Sequence, residues 1–325
     1  MKPFSACIAM AYLTMIAQLH AQRPNGPPPG GGSGRTHTET EAKPLRLIPA
    51  DEKPPAENEV TIEIKDGFRI ITANNIPEHL VGKFPNRANP NAISPQKAEI
   101  KLPLEPKANK EATDARTAVG VLLNGVFLEA GTAEFWTGGG TTWNYEALGG
   151  AINLGLDENH AHVQPTGKYH YHGKPTGFLK DLKLSHHDHS PLIGWSFDGF
   201  PIYALYGYSD PEDTSSEIVE MTSSYKLKQG ERPGAPDGPG GKYDGAFTAD
   251  YEYVADSGTL DECNGRFTKT PEFPEGTYAY FLSNEWPVIY RSYRGTPAIR
   301  PGAGPGGQRR PGMEDRRPTG PPQRR

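Results

Sequence analysis

Four histidines fall on one face of a hairpin expected at His160-Ala-His-Val-Gln-Pro-Thr-Gly-Lys-Tyr-His-Tyr-His172. A three-residue hairpin loop is usually a type I turn closed by a left-handed residue, which favours proline early and glycine last. Pro165 and Gly167 stand in those places, so His162 should face His170 and His160 should face His172. Side chains alternate along a strand, which puts the imidazoles of His160, His162, His170 and His172 on one side. Cross-strand Cβ atoms are about 5 Å apart. Protonated, such a cluster repels itself; neutral, it can be held together by one transition metal, and imidazole suits copper and zinc alike. His187 and His189, further along the chain, alternate in the same way and are candidates to complete the ligand set. A solvated loop is the competing account of His186 to His189, and a hydrogen-bonded histidine edge is the competing account of the hairpin.

The chain carries its own control. Leu156-Asp-Glu-Asn159 leading to Gly167-Lys-Tyr-His-Tyr-His172 is echoed by Leu260-Asp-Glu-Cys-Asn264 leading to Gly276-Thr-Tyr-Ala-Tyr-Phe281. The tyrosines recur and the histidines do not, so the Tyr-x-Tyr spacing serves a β-face while the imidazoles are not needed to build one. Asp157, Glu158, Asp261 and Glu262 are the acidic groups that could orient imidazoles by accepting a free ring N–H. Asp198, before Gly199, reads first as a turn residue.

Three functions are compatible with these residues. The first is an exported protein that binds copper or zinc. The second is a metal-dependent enzyme at the same hairpin, in which three histidines leave a coordination position open. The third is a non-metal module in which Trp136, Trp143, Trp195 and the tyrosines line a surface for a glycan or a protein. A closed set of four ligands favours the first, and three ligands beside a cavity favour the second. No serine sits in a Gly-x-Ser-x-Gly setting, and the glycines of residues 231–241 lack the spacing of a phosphate loop. The formal net charge of −5 argues against a dedicated nucleic-acid binder.

The elements that must position these residues are strands. Val60 to Ile64 and Phe68 to Thr72 alternate around Asp66-Gly67; Asn124-Gly125 and Asp198-Gly199 are two further hairpin signals. Long amphipathic patterns are absent, Tyr145 to Ala151 being the best short helix candidate. The expected fold is mainly β: a single β-rich domain of hairpins closing as a sandwich or distorted barrel, with few short helices. Residues 1–21 read as a signal peptide, with Lys2, an apolar run from Ala6 to Ile16 and cleavage after Ala21, so the mature protein is expected in the periplasm or outside the cell. Residues 22–58 read as a disordered Pro/Gly-rich linker, 59–299 as the domain, and 300–325 as a disordered Arg/Pro/Gly-rich tail. No stretch reaches transmembrane length. Cys263 is the one mature cysteine and is expected to be buried.

The motif Tyr169-His-Tyr-His172 gives its name to the YHYH domain family, which this chain resembles. The likeness extends to Asn75-Ile-Pro-Glu-His79, Gly82 to Pro90, Ile193 to Tyr203, Tyr243-Asp-Gly245, Asp250 to Tyr253 and Leu260 to Arg266, covering roughly Glu59 to Pro297. It implies one exported domain and supplies no substrate.

Overall fold

The computed structural model describes residues 35–115 and 117–298. The signal-like segment, the first part of the linker and the arginine-rich tail lie outside the described residues. With 33% strand and 3% helix the chain is mainly β.

The first strands are β1 (Arg35–His37), β2 (Val60–Lys65), β3 (Phe68–Ala73), β4 (Ala98–Pro103) and β5 (Ala108–Asp114). After them come β6 (Ala118–Leu122), β7 (Phe127–Glu129), β8 (Glu134–Trp136), β9 (Ala161–Val163) and β10 (Tyr169–Tyr171). A short helix, α1 (Thr176–Asp181), precedes β11 (Leu192–Ser196), β12 (Pro201–Tyr203), β13 (Tyr206–Tyr208) and β14 (Ile218–Glu220). The last are β15 (Tyr225–Leu227), β16 (Tyr251–Tyr253), β17 (Gly265–Thr268), β18 (Thr277–Phe281) and β19 (Ser292–Gly295).

Eight strands form one mixed sheet in the order β17-β18-β12-β11-β6-β7-β10-β9. It is open at β17 and β9, so the expected barrel does not close. The meander β2-β3-β4 shares its core: Ile71, Ile100 and Leu102 cluster with Val121, Phe127 and Phe197 of the large sheet and its turns. In β4 the alternation is complete, with Ala98, Ile100 and Leu102 buried and Glu99 and Lys101 exposed.

The three Gly-containing turns do not all close alike. Asp66 and Gly67 both adopt positive φ (52° and 77°), as a two-residue turn between twisted strands requires. At Asn124-Gly125 and Asp198-Gly199 only the glycine does, and each loop is one residue longer, with Gly125 N–H donating to Leu122 O and Gly199 N–H to Ser196 O. Tyr145 to Ala151 forms bridges and turns, not a helix; it packs Tyr145 and Ala151 beside Phe247. Among the described residues, the one α-helix follows the histidine hairpin and buries Phe178 and Leu179.

The large sheet is built from two like halves. In one, β6 and β7 form a hairpin with Gly120 opposite Leu128, and Leu128 pairs in parallel with Tyr171 of β10. In the other, β11 and β12 place Gly194 opposite Ile202, and Ile202 pairs in parallel with Tyr280 of β18. The turn residues match: Asn124 Nδ2 donates to Tyr171 Oη at 3.0 Å, and Tyr280 Oη donates to Asp198 Oδ2 at 2.5 Å. The acidic turns match as well, with Tyr169 Oη donating to Asp157 at 2.7 Å and Tyr278 Oη to Asp261 at 2.8 Å. The halves meet antiparallel where Val121 faces Trp195, each residue occupying its counterpart's place. The sequence echo is therefore the visible part of a longer duplication, and the tyrosines of Tyr169-His-Tyr-His172 are the members it preserves.

The expected linker is ordered from Arg35 onward. β1 pairs in parallel with β8, Lys43 N–H donates to Gly149 O, and Ile48 N–H donates to Leu156 O. Gly150 lets this strap pass, since a Cβ there would lie 2.0 Å from the Lys43 carbonyl oxygen. The strap is fastened by Arg232, whose guanidinium donates to Thr40 O at 2.6 Å and to both oxygens of buried Asp250 at 2.7 and 2.6 Å.

Candidate metal centre

The histidine hairpin forms in the expected register. Gly167 closes the loop at φ 86°, where its N–H donates to Gln164 O, and Gln164 N–H donates to Lys168 O. β9 and β10 then pair Tyr169 with Val163, His170 with His162 and Tyr171 with Ala161. Tyr169 and Tyr171 face the core and are fully buried, which leaves His162, His170 and His172 together on the other side.

Their Nε2 atoms converge. His172 Nε2 lies 3.0 Å from His170 Nε2 and 3.2 Å from His162 Nε2. Three imidazole nitrogens each about 2.1 Å from one tetrahedral ion stand about 3.4 Å apart; two sides of this triangle are close to that, and all three ligand atoms lie within 4.8 Å of one another. Two of the three tautomers suit a metal. A carbonyl only accepts, so His162 Nδ1–H donates to Leu154 O (3.0 Å) and His170 Nδ1–H points to Lys168 O (3.3 Å), leaving a lone pair on both Nε2 atoms. His172 Nδ1 is buried without a partner, so its Nε2 carries the hydrogen, which can serve one neighbour and not both. A cation among the three nitrogens would take the lone pairs of His162 and His170 directly and that of His172 once its hydrogen moves to Nδ1.

Burial pushes His170 and His172 well below the ordinary imidazole value, with His162 and Lys168 lowering His170 further and His170 and His162 lowering His172 further, and it lowers His162. The unfolded chain takes up protons near pH 6.5 and the folded site resists them, so the triad's contribution to stability is present above about pH 6.5 and lost as pH falls below it. The melting temperature of chelator-treated protein is therefore expected to drop between about pH 7 and about pH 5. The drop should shrink when His170 and His172 are replaced by alanine; equal slopes for both proteins would contradict the assignment.

The other three candidates lie elsewhere. His160 adopts φ 54°, which breaks the alternation before the strand starts at Ala161, and its Nδ1–H donates to Lys174 O at 2.9 Å. His187 is exposed on a turn and lies against His186 with ring centroids 3.8 Å apart and the rings tilted by 45°. His189 donates from Nδ1 to Ser190 O and packs against Tyr203 and Tyr208. A turn at 186–188 gives no strand alternation to align them. The acidic residues do not orient imidazoles either. Asp157 accepts from the N–H groups of Gly82, Asn159 and Ala161 and from Tyr169, while Asp261 and Glu262 pair with Arg294. Asp157→Ala should strand these buried donors and cost about 3 kcal/mol in urea unfolding; a loss below about 1 kcal/mol would remove Asp157 from the support of the hairpin. Cys263 is fully buried, with its thiol pushed up to about 12, and lies outside the triad.

Glu129 was not foreseen. It ends β7, is 7% exposed, and its carboxylate accepts from Gln164 Nε2 and from Lys168 Nζ at 2.5 Å. Its other oxygen lies 3.4 Å from His170 Nε2. The one available signal was a carboxylate closing the otherwise apolar strand Val126-Phe-Leu-Glu129.

A cleft of about 670 Å³ reaches the triad at His162. Its walls come from the strap, residues 88–91 and residues 150–156. Of the three tryptophans named for the interaction-module alternative, Trp143 and Trp195 are buried, with Trp143 Nε1–H donating to Asp237 O and Arg69 stacked on Trp195, and Trp136 is half-buried.

Residues 99–295 match the family described as YHYH protein. The chain belongs to that family. No curated protein and no solved structure matches it at a significant level. In this YHYH protein the four letters divide into two roles by strand alternation: tyrosines toward the core and histidines toward the site. The second half of the sheet keeps the first role alone, with Ala279 and Phe281 in place of His170 and His172, Arg266 in place of His162, and Tyr203 in place of Glu129.

Proposed function

We propose that this YHYH protein is an exported protein that binds one copper or zinc ion through His162, His170 and His172. The convergence of three Nε2 atoms, with separations of 3.0 and 3.2 Å, carries the proposal. Three supports agree with it: two of the rings are held by backbone carbonyls, burial keeps all three neutral, and the related half of the sheet forms without them. Export is supported by the signal-like segment at residues 1–21.

Three ligands favour an open site over a closed store, and the Glu129 carboxylate 3.4 Å from His170 Nε2 favours the second reading, catalysis at that metal. A bound zinc ion supplies a water acidic enough to ionise near neutral pH. Here Lys168 and Gln164 hold Glu129 in place beside the triad.

The test is calorimetric titration of the full chain with zinc and with copper after chelation and dialysis. One ion per chain with submicromolar affinity is expected for at least one metal. Weak binding of both, with no change in melting temperature, overturns the proposal. Identification of the mature N-terminus at Gln22 tests export.

A further inference from the structure

The cleft beside His162 carries two kinds of unmet demand. Lys43 and Arg46 line it from the strap, and neither of these exposed side chains has a hydrogen-bonded or ion-paired partner among the described residues. The other cations on the wall are matched, since Arg35 lies 3.6 Å from Glu134 and His37 bonds the same carboxylate. The second demand is an acceptor. Asn89 lines the cleft at 5% exposure; its Nδ2 donates to Val163 O at 2.9 Å, and its Oδ1 is buried with no donor. Such an orphan costs free energy unless a ligand or water donates to it. Between them lie apolar residues, among them Pro44, Leu45, Ile152 and Leu154.

We infer that the cleft binds a small hydroxylated organic anion of the sugar-acid or sugar-phosphate class. Lys43 and Arg46 take its oxyanion, Asn89 Oδ1 accepts from one of its hydroxyls, and the apolar wall takes a C–H face of its ring. A cleft of about 670 Å³ suits a ligand of that size. Guanidinium and ammonium groups recognise carboxylate and phosphate oxygens alike, so the shared feature is the oxyanion. The inference deepens the metal proposal, because the cleft meets the triad at His162 and places such a ligand beside a ligating residue. The strap holds the two cations by fixed backbone: Lys43 N–H donates to Gly149 O, and Ala42 N–H donates to Asp244 Oδ2 at 2.9 Å.

Calorimetry of the full chain, with and without one equivalent of zinc, tests this with four probes: D-galacturonate, D-glucose 6-phosphate, D-glucose and cyclohexanecarboxylate. At least one anionic sugar should bind, and the two anionic arms identify which oxyanion is preferred. Glucose, lacking the charge, and cyclohexanecarboxylate, lacking the hydroxyls, should each bind roughly tenfold more weakly or worse. The double variant Lys43→Gln, Arg46→Gln changes two exposed side chains and should weaken the preferred anion by a similar factor. The inference is overturned if neither anionic sugar binds, if either control binds as tightly, or if the double variant changes nothing. Zinc uptake without binding of either anionic sugar overturns this inference and leaves the metal centre standing. Binding of an anionic sugar by a chain that takes up no metal does the reverse.

Discussion

Replacing His170 and His172 together with alanine is expected to abolish stoichiometric binding of zinc or copper while leaving the β-fold intact. Loss of groups that merely orient a ligand costs roughly 10- to 100-fold in metal affinity, and removal of two of three ligands should cost roughly a thousandfold or more. The usual objection, that buried side chains were removed and the sheet suffered, has an answer inside the protein. Ala279 and Phe281 occupy the matching positions of β18, which forms the same pairings with β17 and β12 that β10 forms with β9 and β7. A second variant, His170→Ala with His172→Phe, copies that arrangement. Far-ultraviolet circular dichroism should be unchanged in both, and titration should show no stoichiometric site in either. Wild-type affinity in either variant would place the metal elsewhere.

Arg232→Met is expected to destabilise the protein strongly, by about 3 to 5 kcal/mol. The side chains of Arg232 and Asp250 are both 0% exposed, and Asp250 also accepts the N–H groups of Gly245 and Phe247. Removing the guanidinium leaves one carboxylate buried and uncompensated, releases a second at Asp244, and frees Thr40 O. In a domain of this size, 3 to 5 kcal/mol corresponds to roughly 10 °C in melting temperature. Limited proteolysis should then cut in the strap, between Arg35 and Ala50, before it cuts the sheet. Arg232→Lys keeps the charge and loses the two-pronged geometry, so it should fall between. A loss of less than about 1 kcal/mol for Arg232→Met would show that the strap is held by its strand pairing with β8 alone.

The hairpin was legible because its loop chemistry is local: Pro165 and Gly167 set the register, and the register sets the face. His160 failed for an equally local reason. Asparagine tolerates the left-handed conformation better than most residues, and Asn264, at the matching position of the echo, adopts φ 54° as His160 does. The echo therefore contained the correction, in a residue whose backbone preference was not carried across. Glu129 was hidden for a different reason. It reaches His170 through parallel pairing of β7 with β10, and nothing in a strand's own residues names its parallel partner. The ordered strap was hidden by composition, since prolines and charges read as linker while its anchors, Asp244, Arg232 and Gly149, lie far along the chain.

All three histidines of the triad sit on one hairpin, while the sheet around them depends on distant partners. Hairpins close in microseconds, whereas pairings such as Leu128 with Tyr171 and Ile202 with Tyr280 must first bring remote segments together. The proposed metal ligands therefore need only a turn and two short strands to meet, and Glu129 joins them later. An ion present during folding can be captured by the nascent hairpin, lowering the entropy of that segment before the sheet assembles. Refolding with metal present should then be faster than refolding followed by loading, a kinetic consequence of having placed the whole ligand set within one local structure.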